Sequence, residues 1–184
     1  MTRKRIHLAL LTALGAVLFA VEELIALPVP FFRIGFANVV TVLVLVWYGG
    51  AEAMAVTVLR VVVGSLLIGS LFQPSFIFSF LGGAASAAAM GLMRRSNGRF
   101  FSLVGISLVG ALVKNAVQLS VAALWMVKHL RIFSLLPLFF LVSFCAGTLV
   151  GVSALILQAR LPAGHVDPSG SIPPERAGGY TQRA

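Results

Sequence analysis

Long apolar stretches recur at about residues 6 to 26, 34 to 49, 51 to 72, 76 to 93, 102 to 127 and 133 to 159, and helix-breaking residues separate most of them. A run of some twenty apolar residues matches the thickness of a bilayer core, so the pattern predicts six membrane helices. The second run is the shortest, and it follows Pro28-Val29-Pro30-Phe31-Phe32-Arg33, whose two prolines disfavour helix and predict a loop folding back on the bundle. Gly49-Gly50, Gln73-Pro74-Ser75 and Arg94-Arg95-Ser96-Asn97-Gly98-Arg99 mark the next three breaks. After Leu161-Pro162 the chain turns rich in Pro, Gly and polar residues. The expectation is an all-α integral membrane protein, one six-transmembrane-helix bundle over residues 1–161 with a disordered cytoplasmic tail over residues 162–184.

Composition agrees. Hydrophobic residues make up 59% of the chain and charged residues 10%, against roughly 25% charged in ordinary soluble domains, and the mean hydropathy is +1.03. No soluble catalytic domain fits in this length. Thr2-Arg3-Lys4-Arg5 before an apolar stretch also has the outline of a signal peptide, but the stretch outruns an ordinary signal core and its alanines have helical spacing. With the amino terminus inside, the cytoplasmic side collects Arg3, Lys4, Arg5, Arg94, Arg95, Arg99, Arg160, Arg176 and Arg183, and the outer side only Arg33, Lys128 and Arg131. That bias places both termini in the cytoplasm and assigns the net charge of +9 to membrane sorting and anionic lipid. Nucleic-acid binding is excluded as a reading, since the basic residues are dispersed over loops. The lone Cys145 reads as a small core residue.

Against this background the polar residues inside the runs stand out. Arg60 and Lys114 each lie mid-stretch, where a cation costs at least about 2.5 to 3.5 kcal/mol and is usually tied to a polar cavity or a partner. The fifth helix carries Ser107, Gly110, Lys114 and Gln118 on one face with Asn115 beside them. Thr57 and Gly64 share the face of Arg60, and Asn38 and Thr41 come from the second helix, so the three helices can surround a polar cavity. Ala9, Ala13, Ala16 and Ala20 form a small-residue stripe that lets another helix approach closely.

Each feature has a purely structural reading. Arg60 can be neutralised by carbonyls, or by snorkelling toward Glu52 two turns away. Lys114, Asn115 and Gln118 can form an interhelical hydrogen-bond network, and the alanine stripe can serve packing alone. Glu22 and Glu23, at the outer end of the first helix, read as solvated or paired with Arg33 or Lys128. His7, His129 and His165 are scattered at segment ends, so no metal site is expected.

The runs Pro28 to Thr41, Leu59-Arg60-Val61-Val62-Val63-Gly64-Ser65-Leu66-Leu67-Ile68-Gly69, Ser79-Phe80-Leu81-Gly82-Gly83 and Gly105-Ile106-Ser107-Leu108-Val109-Gly110-Ala111 through Asn115 and Gln118-Leu119 resemble the Gx transporter family. That family is also labelled heptaprenyl diphosphate synthase component I, and it is similar to the substrate-binding S components of energy-coupling factor (ECF) vitamin transporters. The resemblance covers residues 6 to about 160 and implies an S-component-like bundle with a substrate pocket opening outward beneath the loop between helices one and two. It also implies an Ala-x-x-x-Ala contact with a transmembrane coupling (T) subunit, which Ala9 and Ala13 match. In the family a histidine often precedes the asparagine where this chain has Lys114. A permanent cation there favours a more acidic substrate.

Residues and resemblance together lead to a substrate-binding subunit of the bacterial cytoplasmic membrane that takes up a small anionic solute, such as a vitamin or cofactor precursor. Arg33, Asn38, Arg60, Lys114, Asn115 and Gln118 are the expected binding residues. No cofactor is expected. The chain has no Gly-x-x-x-x-Gly-Lys-Ser/Thr loop, so ATP hydrolysis falls to partner ATPases acting with a coupling subunit. Its sole aspartate, Asp167, cannot form the magnesium-holding aspartate cluster of prenyl diphosphate synthases, so the chain is not expected to be an enzyme. An accessory membrane subunit of such a synthase, a solitary carrier and a scaffold are the alternatives.

Overall fold

The computed structural model describes residues 2–24, 35–97, 102–124 and 136–160. Within them lie six helices: α1 (Thr2–Leu24), α2 (Ala37–Tyr48), α3 (Gly50–Leu67), α4 (Pro74–Asn97), α5 (Leu103–Ala122) and α6 (Leu136–Arg160). No strand occurs among the described residues. Five of the helices are long and apolar enough to cross a membrane, and α2 is the shorter exception. The chain is a multi-pass membrane protein. Arg33 and the proposed tail lie outside the described residues.

Two boundaries differ from the hydropathy pattern for physical reasons. Hydropathy alone carries the third helix to residue 72, but α3 stops at Leu67 because Gly69 adopts φ +70° and Ser70 N–H closes onto Ser65 O at 2.8 Å. In the other direction, α4 continues through Arg94 and Arg95, which the sequence assigns to a loop. Arginine is a good helix former and the guanidinium of Arg94 finds acceptors on α2, so the basic pair needs no loop.

The short helix α2 is the centre of the bundle. It touches α1, α3, α4 and α6, and Val40, Val42, Leu43, Val44 and Leu45 are all buried. A helix apolar on every side has to be enclosed, and this one is. Gly49, at φ +108°, ends it by donating its N–H to Val44 O and Leu45 O, and α3 begins one residue later. Hence α2 and α3 run antiparallel from a common corner. Asn38 is about 16 Å from that corner along α2 and Arg60 about 15 Å along α3, at 1.5 Å per residue, so both lie at one depth. In a hydrocarbon core of about 30 Å that depth is near the midplane.

Glycines set how closely the helices approach. A Cβ on Gly147 would lie 2.8 Å from Leu108 Cα, and one on Gly151 2.7 Å from Val104 Cα, so α5 and α6 meet backbone to backbone along this small-xxx-small pair. At Gly64, α3 takes the Phe19 ring of α1, and a Cβ there would lie 3.1 Å from Ala16 O. The alanine stripe is thereby divided: Ala16 is buried against α3, whereas Ala9 and Ala13 are exposed. Cys145 is also exposed, which corrects its reading as a core residue; it faces outward on α6, where a membrane offers lipid.

Candidate functional site

Three helices deliver polar groups to the same level beside the amino end of α2. Arg60, 3% exposed, donates from Nη2 to Asn38 Oδ1 at 2.6 Å, while its Nε and Nη1 are buried without a hydrogen-bond partner. Lys114 of α5 is 9% exposed, and a Cβ on Gly35 would lie 3.5 Å from Lys114 Nζ and 3.7 Å from Asn38 Nδ2. Lys114 and the Asn38 amide thus both face Gly35, and the oxygen of that amide holds Arg60. Gly35 has φ +91°, so a side chain there would be strained as well as crowded against the lysine.

Glycines also shape the approach of the two long side chains. Arg60 passes over Gly15 of α1, whose Cβ would lie 3.1 Å from Arg60 Cδ. Gly82 of α4 lies under Lys114 and Gln118; a Cβ there would be 3.3 Å from Lys114 Cγ and 3.0 Å from Gln118 Cγ. Small residues on α1 and α4 thus open the space that lets charged stems reach inward.

The result is a narrow recess with room for about one water molecule, lined by Asn38, Ser107, Lys114 and Asn115 and by the small residues Ala111, Ala146 and Val150. Ser107 Oγ is buried there without a hydrogen-bond partner. Asn115 Nδ2 donates to Ser143 Oγ at 2.5 Å, and that hydroxyl in turn donates to Phe139 O at 2.5 Å. Gln118 is placed differently. Its Nε2 donates to Phe78 O of α4 at 3.4 Å, and it does not line the recess; Arg60 does not line it either and meets it through its hydrogen bond to Asn38.

Glu22 overturns its reading as a solvated residue. It is 8% exposed and accepts a hydrogen bond from the backbone N–H of Phe36, the residue that caps α2. It also interacts electrostatically with Arg60. The cause is the tight packing of α1 on α3 through Phe19 and Gly64, which carries the next turn of α1 over the amino end of α2. Glu52 is not the partner of Arg60: it pairs with Lys4 at 2.6 Å, beside Tyr48, whose ring centroid is 5.8 Å from the ammonium.

Chemically, the amino end of a helix carries partial positive charge and spare N–H donors, and favours an anion. Two cations beside such an end repel it and each other unless a negative group joins them. Glu22 supplies one carboxylate, and Arg60 Nε and Nη1 keep their hydrogen-bonding capacity unused. Among the described residues no group of three His, Cys, Asp or Glu is placed to hold a metal ion.

Residues 11–157 match the family described as heptaprenyl diphosphate synthase component I. The chain belongs to that family. No curated protein and no solved structure matches the chain. The family description names a component of an enzyme, so its members are associated by name with a partner synthase component. Sequence reasoning missed Glu22, Ser143 and the return of Arg94 to α2. Of these only Ser143 had a usable signal, as the small polar step three residues before Ala146 on the inward stripe of α6.

Proposed function

We propose that the chain is a membrane-embedded substrate-binding subunit for uptake of a small anionic solute. The observation that carries this reading is the pair of buried donors, Arg60 Nε and Nη1, left open beside a helix amino end already flanked by Lys114. Leaving buried donors unsatisfied costs about 1 to 3 kcal/mol or more for a charged group, and an anion that enters past Asn38 to reach Arg60 relieves that cost. Asn38, Lys114 and Asn115 supply the first contacts, Arg60 stands behind Asn38, Gln118 holds α5 against α4, and Arg33, outside the described residues, is the remaining binding residue proposed from the sequence. Both termini face the cytoplasm of a bacterial cell, as the basic residues direct. The exposed Ala9 and Ala13 provide a docking face for a coupling subunit that brings ATPases, in the manner of ECF S components.

Native mass spectrometry of gently purified protein tests this. The expected result is a retained small anion that is lost on Arg60→Met. Equal ligand content in both proteins, or no ligand in either together with no stabilisation by added anions, overturns the reading. Co-purification with a coupling subunit supports the ATPase-driven form, and uptake by the isolated chain in liposomes supports the solitary carrier.

The family description favours a second reading, an accessory membrane subunit of a prenyl diphosphate synthase. The chain contributes no aspartate cluster to such an enzyme. Recovery of a soluble synthase subunit with the tagged protein supports it, and loss of prenyl product on deletion with no change in solute uptake would favour it over transport.

A further inference from the structure

Two walls of the recess, Ala111 and Ser107, belong to the backbone contact between α5 and α6: a Cβ on Gly147 would lie 3.2 Å from Ala111 Cβ, and one on Gly151 3.3 Å from Ser107 Cβ. Walls packed this closely do not spread. The polar groups facing them are mainly donors. Asn38 gives its Oδ1 to Arg60, which leaves its Nδ2 on the Gly35 side with Lys114 Nζ. Ser107, 3% exposed, keeps a buried hydroxyl without a hydrogen-bond partner. An ammonium carries three N–H donors, so Lys114 can serve the recess beside its other contacts. Asn115 commits its Nδ2 to Ser143 and adds wall rather than a donor. The surrounding field has the sign of the donors, since Arg60 stands behind Asn38 and the amino end of α2 carries partial positive charge.

We propose that the recess binds a single monatomic anion, chloride in a cell, between Lys114 Nζ, Asn38 Nδ2 and Ser107 Oγ. With Asn38 and Lys114 where they stand, room for about one water excludes a carboxylate, a phosphate or any larger anion. Size therefore selects a single atom. A chloride exceeds a water only slightly, and Lys114, the one long flexible side chain on the walls, yields that difference. Charge selects the ion over water, because Arg60 and Lys114 stand at this level against the buried Glu22, and a neutral molecule leaves the remaining positive charge unanswered. A spherical anion also accepts from every donor it meets, and between the two cations it screens each from the other. This resident halide goes beyond the solute reading and does not depend on it: a solute that moves Asn38 or Lys114 to reach Arg60 expels the ion.

The test measures binding of radioactive chloride to the full chain in nanodiscs, with gluconate, too large for the recess, as the balancing anion. Four proteins are compared: wild type, Ser107→Ala, Lys114→Met and Ser120→Ala. Ser107→Ala removes one donor and leaves the Cβ that packs on Gly151, so it keeps the test decisive if Lys114→Met fails to fold. Ser120, exposed on the same helix and bonded to Ala116 O, is the control. Wild type and Ser120→Ala are expected to bind one chloride per chain, displaced by bromide and not by gluconate. Ser107→Ala should weaken chloride about fivefold or more, and Lys114→Met about tenfold or more. Chloride that does not saturate at one per chain, that binds Ser107→Ala as tightly as wild type, or that gluconate displaces as readily as bromide does, overturns the proposal and leaves the recess to a water. Phosphate affinity of wild type and Arg60→Met in gluconate alone reads the solute proposal separately, so either can fail while the other stands.

Discussion

Arg94 and Arg60 approach opposite ends of α2, and the two ends treat a cation differently. At the carboxyl end Arg94 donates to Leu45 O and to Val46 O, the latter at 2.9 Å, where spare carbonyls and the helix dipole both welcome positive charge. The amino end offers Arg60 one side-chain amide, a helix end of its own sign, and a neighbouring lysine. One arginine finishes a helix, and the other holds an unfilled valence. A buried cation is therefore informative about function only when its partners are counted.

The contrast breaks most sharply under substitution. Arg94→Met leaves Val46 O without its donor, while Leu45 O keeps Gly49 N–H, and is expected to lower unfolding stability in bicelles by about 1 to 3 kcal/mol, with phosphate affinity within twofold of wild type. Arg60→Met differs in its effect on the ligand. It is expected to weaken phosphate binding 10- to 100-fold, about 1.4 to 2.7 kcal/mol, and to lower the melting temperature as well, because Asn38 and the buried Glu22 lose their partner. Equal loss of phosphate affinity in the two variants would dissolve the distinction. Lys114→Met sharpens it further: roughly a tenfold loss of phosphate affinity is expected, about 1.4 kcal/mol, and unchanged affinity in a binding titration removes the lysine from the site. The smallest effect belongs to Glu22→Gln, which keeps an acceptor for Phe36 N–H but removes the resident negative charge. Phosphate should then bind a few times tighter, about 0.7 kcal/mol, and weaker binding would mean that the carboxylate assists the ligand rather than competing with it.

Much of this was legible in the sequence because membrane helices announce themselves by length and hydropathy, and polar residues at three- and four-residue spacing must share a face. That logic was enough to bring Asn38, Arg60, Lys114 and Asn115 to one neighbourhood. It separated Gln118 from them poorly, since helical spacing gives a face but not the neighbour that face meets, which here is Phe78 of α4. Glu22 was misread for a related reason. A carboxylate near a helix end normally reaches water, and nothing in the chain between it and Phe36 signals that α1 leans across the amino end of α2. Arg94 was lost in a basic cluster whose composition reads as loop, although its helix continues past it.

Phe19, seated on Gly64, packs α1 closely on α3. From Ala13 to Glu22 is about 14 Å of unbroken helix, so whatever grips the outward alanines holds a stiff lever whose far tip rests on the first turn of α2. A tug of an ångström or two at one end would be felt as a loosened carboxylate at the other.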